Sequence, residues 1–141
     1  EYSATLLFLA CEIGHTNCIC TCLKAGAEIG AAKQDGSTPL IIACQNGHVK
    51  SAKLCLQAGA KVNAANRDGV TSLSYACEHG HIGCASLCID AGAKVDAAKK
   101  DGSTPLMEAC YAGHTDCARL CLQAGANVDA AQLERATPLY F

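Results

Sequence analysis

The chain has 141 residues, enough for one domain with a sizeable core and too few for two ordinary ones. Eleven basic side chains stand against 13 acidic ones, a net charge of -2 that by itself holds neither a nucleic-acid backbone nor an anionic bilayer surface. The longest mostly apolar run, 4–11, is far too short to cross a bilayer, and no segment reads as a signal or transit peptide, so neither nucleic acid nor membrane insertion is expected.

A fixed period organises the chain from its first residues. The first unit, about 1–34, is partial. It opens Glu1-Tyr2-Ser3-Ala4-Thr5-Leu6-Leu7 with no Asp-Gly turn, then carries Ala10-Cys11-Glu12-Ile13-Gly14-His15 and Ala25-Gly26-Ala27. Both markers return every 33 residues, as Ala43-Cys44 to Gly47-His48, Ala76-Cys77 to Gly80-His81 and Ala109-Cys110 to Gly113-His114. A third marker, Asp35-Gly36-Ser37-Thr38-Pro39-Leu40, recurs from Asp68 and from Asp101, with a degenerate copy at Glu134. Full units therefore run 35–67, 68–100 and 101–133, followed by a partial unit, 134–141.

Each unit predicts a pair of short antiparallel helices. Thr38 is suited to capping free amides and Pro39 to the first helical position, where its missing N–H costs nothing. The first helix runs to about Asn46, Gly47 ends it, and a second follows from about His48 or Val49 to Ala58, before Gly59. Ala52, Cys55 and Leu56 form an apolar stripe opposite Lys50, Lys53 and Gln57, and one pair cannot bury that stripe alone. Stacked neighbours can. The polar stretch up to Ser72, with Asp68-Gly69, predicts a turn projecting sideways.

These residues resemble the ankyrin repeat, whose unit carries T-P-L-H, A-A, G-H and G-A-D-V-N in similar order. The resemblance covers essentially the whole chain. It implies an all-α ankyrin-repeat solenoid: one domain, 1–141, of stacked helix-turn-helix units joined by β-hairpin-like finger turns, non-enzymatic and recognising proteins on its concave side. Some positions depart from the family. Its His after T-P-L is replaced by Ile41, Ser74 and Met107, Ser72 replaces one proline, and cysteine stands where a second Ala or a Val or Leu is usual. Neither end carries an evident polar cap, which points to a longer repeat array or to ends that pack on something.

Twelve cysteines and five histidines ask whether the chain binds metal. A ligand or nucleophile is normally unique, whereas these recur in phase: Cys11, Cys44, Cys77 and Cys110; Cys22, Cys55, Cys88 and Cys121; Cys18, Cys84 and Cys117. All three phases are core positions in the family, and cysteine packs as a small hydrophobe. His15, His48, His81 and His114 share a phase as turn residues. Cys18, Cys20 and Cys22 alternate along a helix and do not converge on one ion. Neither a metal nor another cofactor is expected, no catalytic motif is present, and reduced thiols imply cytosol or nucleus. Cys20, whose equivalents are Lys53, Ser86 and Arg119, is the one candidate reactive surface thiol.

The resemblance places partner contacts on the fingers and the free side of each first helix. The finger set is Gln34, Asp35, Ser37, Arg67, Asp68, Val70, Lys100, Asp101, Ser103, Leu133 and Glu134. The helix set is Glu12, Ile13, Gln45, Asn46, Glu78, His79, Tyr111 and Ala112, with Tyr75 and Glu108 lining the same groove. Tyr111 and His79 stand out as rings the scaffold does not need. Asn63 resembles the asparagine that hydroxylases modify in ankyrin relatives, with a structural turn as its simpler role. Two other functions remain open at this stage: a cysteine-based metal or redox sensor, and an engineered scaffold without a natural partner. Many cysteines and an irregular first unit argue against the second.

Overall fold

The computed structural model describes residues 2–129, with side chains from residue 5 onward. Eight helices follow one another among the described residues: α1 (Tyr2–Ile13), α2 (Thr16–Lys24), α3 (Pro39–Gln45), α4 (Val49–Gln57), α5 (Ser72–Glu78), α6 (Ile82–Asp90), α7 (Pro105–Ala112) and α8 (Thr115–Gln123). The predicted starts are set by capping: Thr38, Thr71 and Thr104 stand in extended backbone and accept from the amides of Ile41, Ser74 and Met107. Gly47 adopts φ +75° between α3 and α4, the left-handed turn that lets the second helix double back.

Odd-numbered helices stack on one another, as do even-numbered ones, giving two helical layers. Leu7, Leu40, Leu73 and Leu106 run through the core with Ala10, Ala43, Ala76 and Ala109. Ala52 and Cys55 are fully buried while Lys50, Lys53 and Gln57 are exposed, so the stripe on α4 faces inward.

Between pairs the chain makes fingers. Lys33 N–H donates to the Ser37 carbonyl at 2.9 Å, and Asn66 to Val70 and Lys99 to Ser103 repeat the bond at 3.0 and 2.9 Å. Arg67 N–H then donates to the Asp35 carbonyl at 2.8 Å and Lys100 N–H to the Asp68 carbonyl at 2.9 Å, stitching each finger to the next. The fingers stop short of a sheet: among the described residues the pairing amounts to an isolated antiparallel bridge, Ala65 with Thr71.

The phased histidines also join units. The His48 ring Nε2 donates to the Glu12 carbonyl at 3.0 Å, and a Cβ placed on Gly47 would lie 2.5 Å from the His81 ring. The Gly-His pair thus couples two units: the glycine of one leaves room for the imidazole of the next. Asn63 does similar work at the other end of the helices, accepting from Lys94 N–H at 2.8 Å and donating to the Gly92 carbonyl at 3.3 Å.

Candidate functional site

The second and third fingers and α5 enclose a groove of about 410 Å³ lined by Asp68, Val70, Tyr75, Glu78, Lys99, Lys100 and Asp101. The stitch from Lys100 to Asp68 fixes the two finger tips side by side, and α5 brings Tyr75 and Glu78, one turn apart, to the same wall. Tyr75 is half-buried, and its ring stacks on His79 at 5.9 Å, with His81 a further 6.0 Å on. On the groove lining, Lys99 Nζ lies 2.7 Å from Glu108 Oε1, an ion pair only 18% and 12% exposed. Burial pulls the Lys99 ammonium down, but the hydrogen bond and charge of Glu108, joined by Asp101 and Glu78, outweigh it and hold its pKa above the ordinary lysine value.

The sequence reading missed Lys99. Its equivalents are Lys33, which lies over the Phe8 ring at 4.0 Å, and Asn66, which ties its own turn together through Asp68 and Val70 amides at 3.0 Å. Three different jobs at one phase leave no repeating signal to read.

The thiols form a ladder. Cys11 Sγ lies 3.6 Å from Cys55, Cys44 3.8 Å from Cys88, and Cys77 3.5 Å from Cys121, each pair joining a first helix to the second helix of the next unit. Hydrogen bonding to the partner sulfur, then burial, push the Cys55 and Cys77 thiols far up, and contacts with Cys84 and Cys88 do the same to Cys44, so these sulfurs keep their protons. All twelve cysteines are free. Among the described residues no group of three or more His, Cys, Asp or Glu side chains is placed to hold a metal ion.

Comparison with protein families decides the lineage. The model described as ankyrin repeats (3 copies) matches residues 7–99, and that described as ankyrin repeat matches 101–132. The chain belongs to the ankyrin repeat family. No curated protein matches it.

Most of the surface expected from the ankyrin resemblance is accessible. Gln34, Asp35, Arg67, Asp68, Lys100 and Asp101 are exposed on the fingers, as are Ile13, Asn46, His79, Tyr111 and Ala112 on the first helices, while Glu12, Gln45, Tyr75, Glu78 and Glu108 are half-buried. Three finger residues expected at the free surface are not there: Ser37, Val70 and Ser103 are only 7%, 6% and 5% exposed. Asp35 turns back to accept from the Ser37 amide at 2.9 Å and its hydroxyl at 3.0 Å, and Asp101 accepts from the Ser103 amide at 2.9 Å, which folds each serine inward. Val70 is retained only as groove lining. Leu133 and Glu134 lie outside the described residues.

The cysteine phases need a similar correction. Cys18 and Cys110 are exposed and Cys22 is half-buried, although their equivalents in the middle units are buried. A thiol in this ankyrin stack is covered by the adjoining unit, as Cys88 is by Cys44, so units at the two ends of the described stack leave theirs open. Cys20 is half-buried rather than fully presented.

Proposed function

We propose that the chain is a non-catalytic scaffold that binds a protein partner along the finger and first-helix surface, centred on the groove between the second and third fingers. The observation carrying this reading is that groove: an aromatic ring, an aliphatic floor and charges of both signs meet on rigidly stitched elements. Residues recurring in phase are occupied in packing units together, which leaves recognition to residues that differ between units, such as Tyr75, His79 and Tyr111. Tyr75→Ala and Tyr111→Ala, each checked for unchanged helicity, are expected to weaken capture of partner by the full chain about fivefold or more, the loss typical of an aromatic anchor. Undiminished capture by both would move the binding surface elsewhere.

The apolar end face formed by Leu6, Leu9, Ile13, Cys18 and Cys22 stacks on a further repeat in this reading. Leu6, Leu9 and Ile13 are 56%, 46% and 67% exposed, and the equivalents of Cys18 and Cys22 in later units are buried by the unit before. Fusing one more repeat ahead of this face should raise the urea midpoint; an unchanged midpoint would remove that role. Free thiols throughout fit a reducing compartment, cytosol or nucleus. The net charge of -2 gives no support to a nucleic-acid partner.

A further inference from the structure

We infer that the groove between the second and third fingers selects a basic side chain, lysine or arginine, presented by the bound protein segment. This rests on the partner-binding reading above and names the chemistry of the partner at that site. Lys99 lines the groove, and its charge is neutralised by Glu108 at 2.7 Å. What then faces the groove is the carboxylates of Asp68 and Glu78 against the ammonium of Lys100, while the Asp101 carboxylate takes the Ser103 amide. Glu78 forms no ion pair among the described residues, yet its charge reaches far enough to hold up Lys99. A half-buried carboxylate of this kind loses part of its water when a partner covers it, and a cation supplied by the partner is what offsets that loss.

The apolar part of the lining fits the same occupant. Val70 is 6% exposed and forms floor rather than rim, and Tyr75 is held in place by its stack on His79. Lysine and arginine carry aliphatic stems that pack on such a wall while the charged head reaches a carboxylate, and a tyrosine face adds attraction for the cation. An acidic side chain would meet the carboxylates of Asp68 and Glu78, and an apolar one would cover Glu78 with nothing to pair it. The corresponding place one unit earlier lacks these features: Ile42 stands for Tyr75, Gln45 for Glu78 and Asn66 for Lys99. The preference therefore does not extend to the unit before, which helps set the register of a bound segment.

The test is a nuclear magnetic resonance titration of the full chain with four probes, acetyl-Gly-X-Gly-amide with X as Arg, Lys, Leu or Glu. The Arg and Lys peptides are expected to shift amides of residues 68–79 and 99–101 and to bind about tenfold or more tightly than the Glu peptide, the discrimination that like-charge juxtaposition carries. Glu78→Gln should weaken Arg-peptide binding about two- to fivefold, the worth of a partly exposed ion pair, and Glu78→Lys should abolish it with the urea midpoint held. Equal binding of Leu or Glu peptides, shifts elsewhere on the chain, no shift with the Arg peptide, or full binding by Glu78→Lys would each overturn the inference. Groove binding of the Leu or Glu peptide would sink the basic preference and leave the groove as a partner site. Partner capture unaffected by Tyr75→Ala would sink the groove itself.

Discussion

Cys44, Cys55 and Cys77 show how a reactive residue type becomes a packing unit. Each is fully buried with a second sulfur 3.5–3.8 Å away, and burial out of bulk solvent disfavours a thiolate. Under native conditions a thiol reagent is expected to label Cys18 and Cys110 fastest, Cys20 and Cys22 next, and the eight buried cysteines only on unfolding; rapid labelling of Cys44 or Cys77 would contradict this. Ser51 occupies the phase of Cys84 and Cys117, is 1% exposed, and its hydroxyl has no hydrogen-bond partner among the described residues. Ser51→Ala or Ser51→Cys should therefore raise stability by about 1 kcal/mol in urea unfolding, because a buried hydroxyl without a partner costs about that much. Gly47→Ala should do the reverse, losing about 2 kcal/mol or more, since its φ of +75° strains any side chain and the new Cβ would meet the His81 ring.

Helices and fingers were legible in the sequence to different degrees. Thr-Pro at the helix start and Gly at the inter-helix turn are local signals with local causes, so α3 and α4 start and stop within a residue or two of where those signals place them. The fingers are built by bonds between units and by serines turned inward, which neighbouring residues alone do not reveal, and so Ser37, Val70 and Ser103 were misplaced. The groove was half legible: Asp68, Tyr75, Glu78, Lys100 and Asp101 follow from phase, whereas Lys99 lines it at a phase where Lys33 and Asn66 do different work. At the start of α5, Ser72 stands where α3 and α7 have proline, is fully buried, and its hydroxyl also lacks a partner among the described residues. Ser72→Pro is expected to stabilise the chain by about 0.5–1 kcal/mol, through a stiffer unfolded state and removal of that hydroxyl. A lowered urea midpoint would mean that the α5 start is shaped differently from its two counterparts.

For the whole molecule, stability is roughly a sum of units and the contacts between them, and the titrating groups at those contacts set its pH dependence. Burial first, and then neighbouring histidines, lower the His81 pKa below 6.5 despite its bond to the Gln45 carbonyl; Asp35 is lowered below 3.8 mainly by the Ser37 amide. Both are depressed on folding, so the unfolded chain binds more protons in acid and stability is lost as pH falls below the ordinary histidine value and then the ordinary aspartate value. Lys99 is raised, so its share is present below 10.5 and lost as pH climbs through its higher folded value. Urea midpoints should decline on both sides, and Lys99→Met should remove the Lys99 part of the alkaline decline. The central claim is that recurring thiols and imidazoles hold units together while the finger groove takes the partner. Site-specific photo-crosslinking tests it most directly, with the reactive group placed at 68 or 100 on the groove and at 53 or 119 on the second helices. One partner crosslinked from 68 and 100, with none from 53 and 119, is the expected result; adducts from the second-helix positions alone would contradict it.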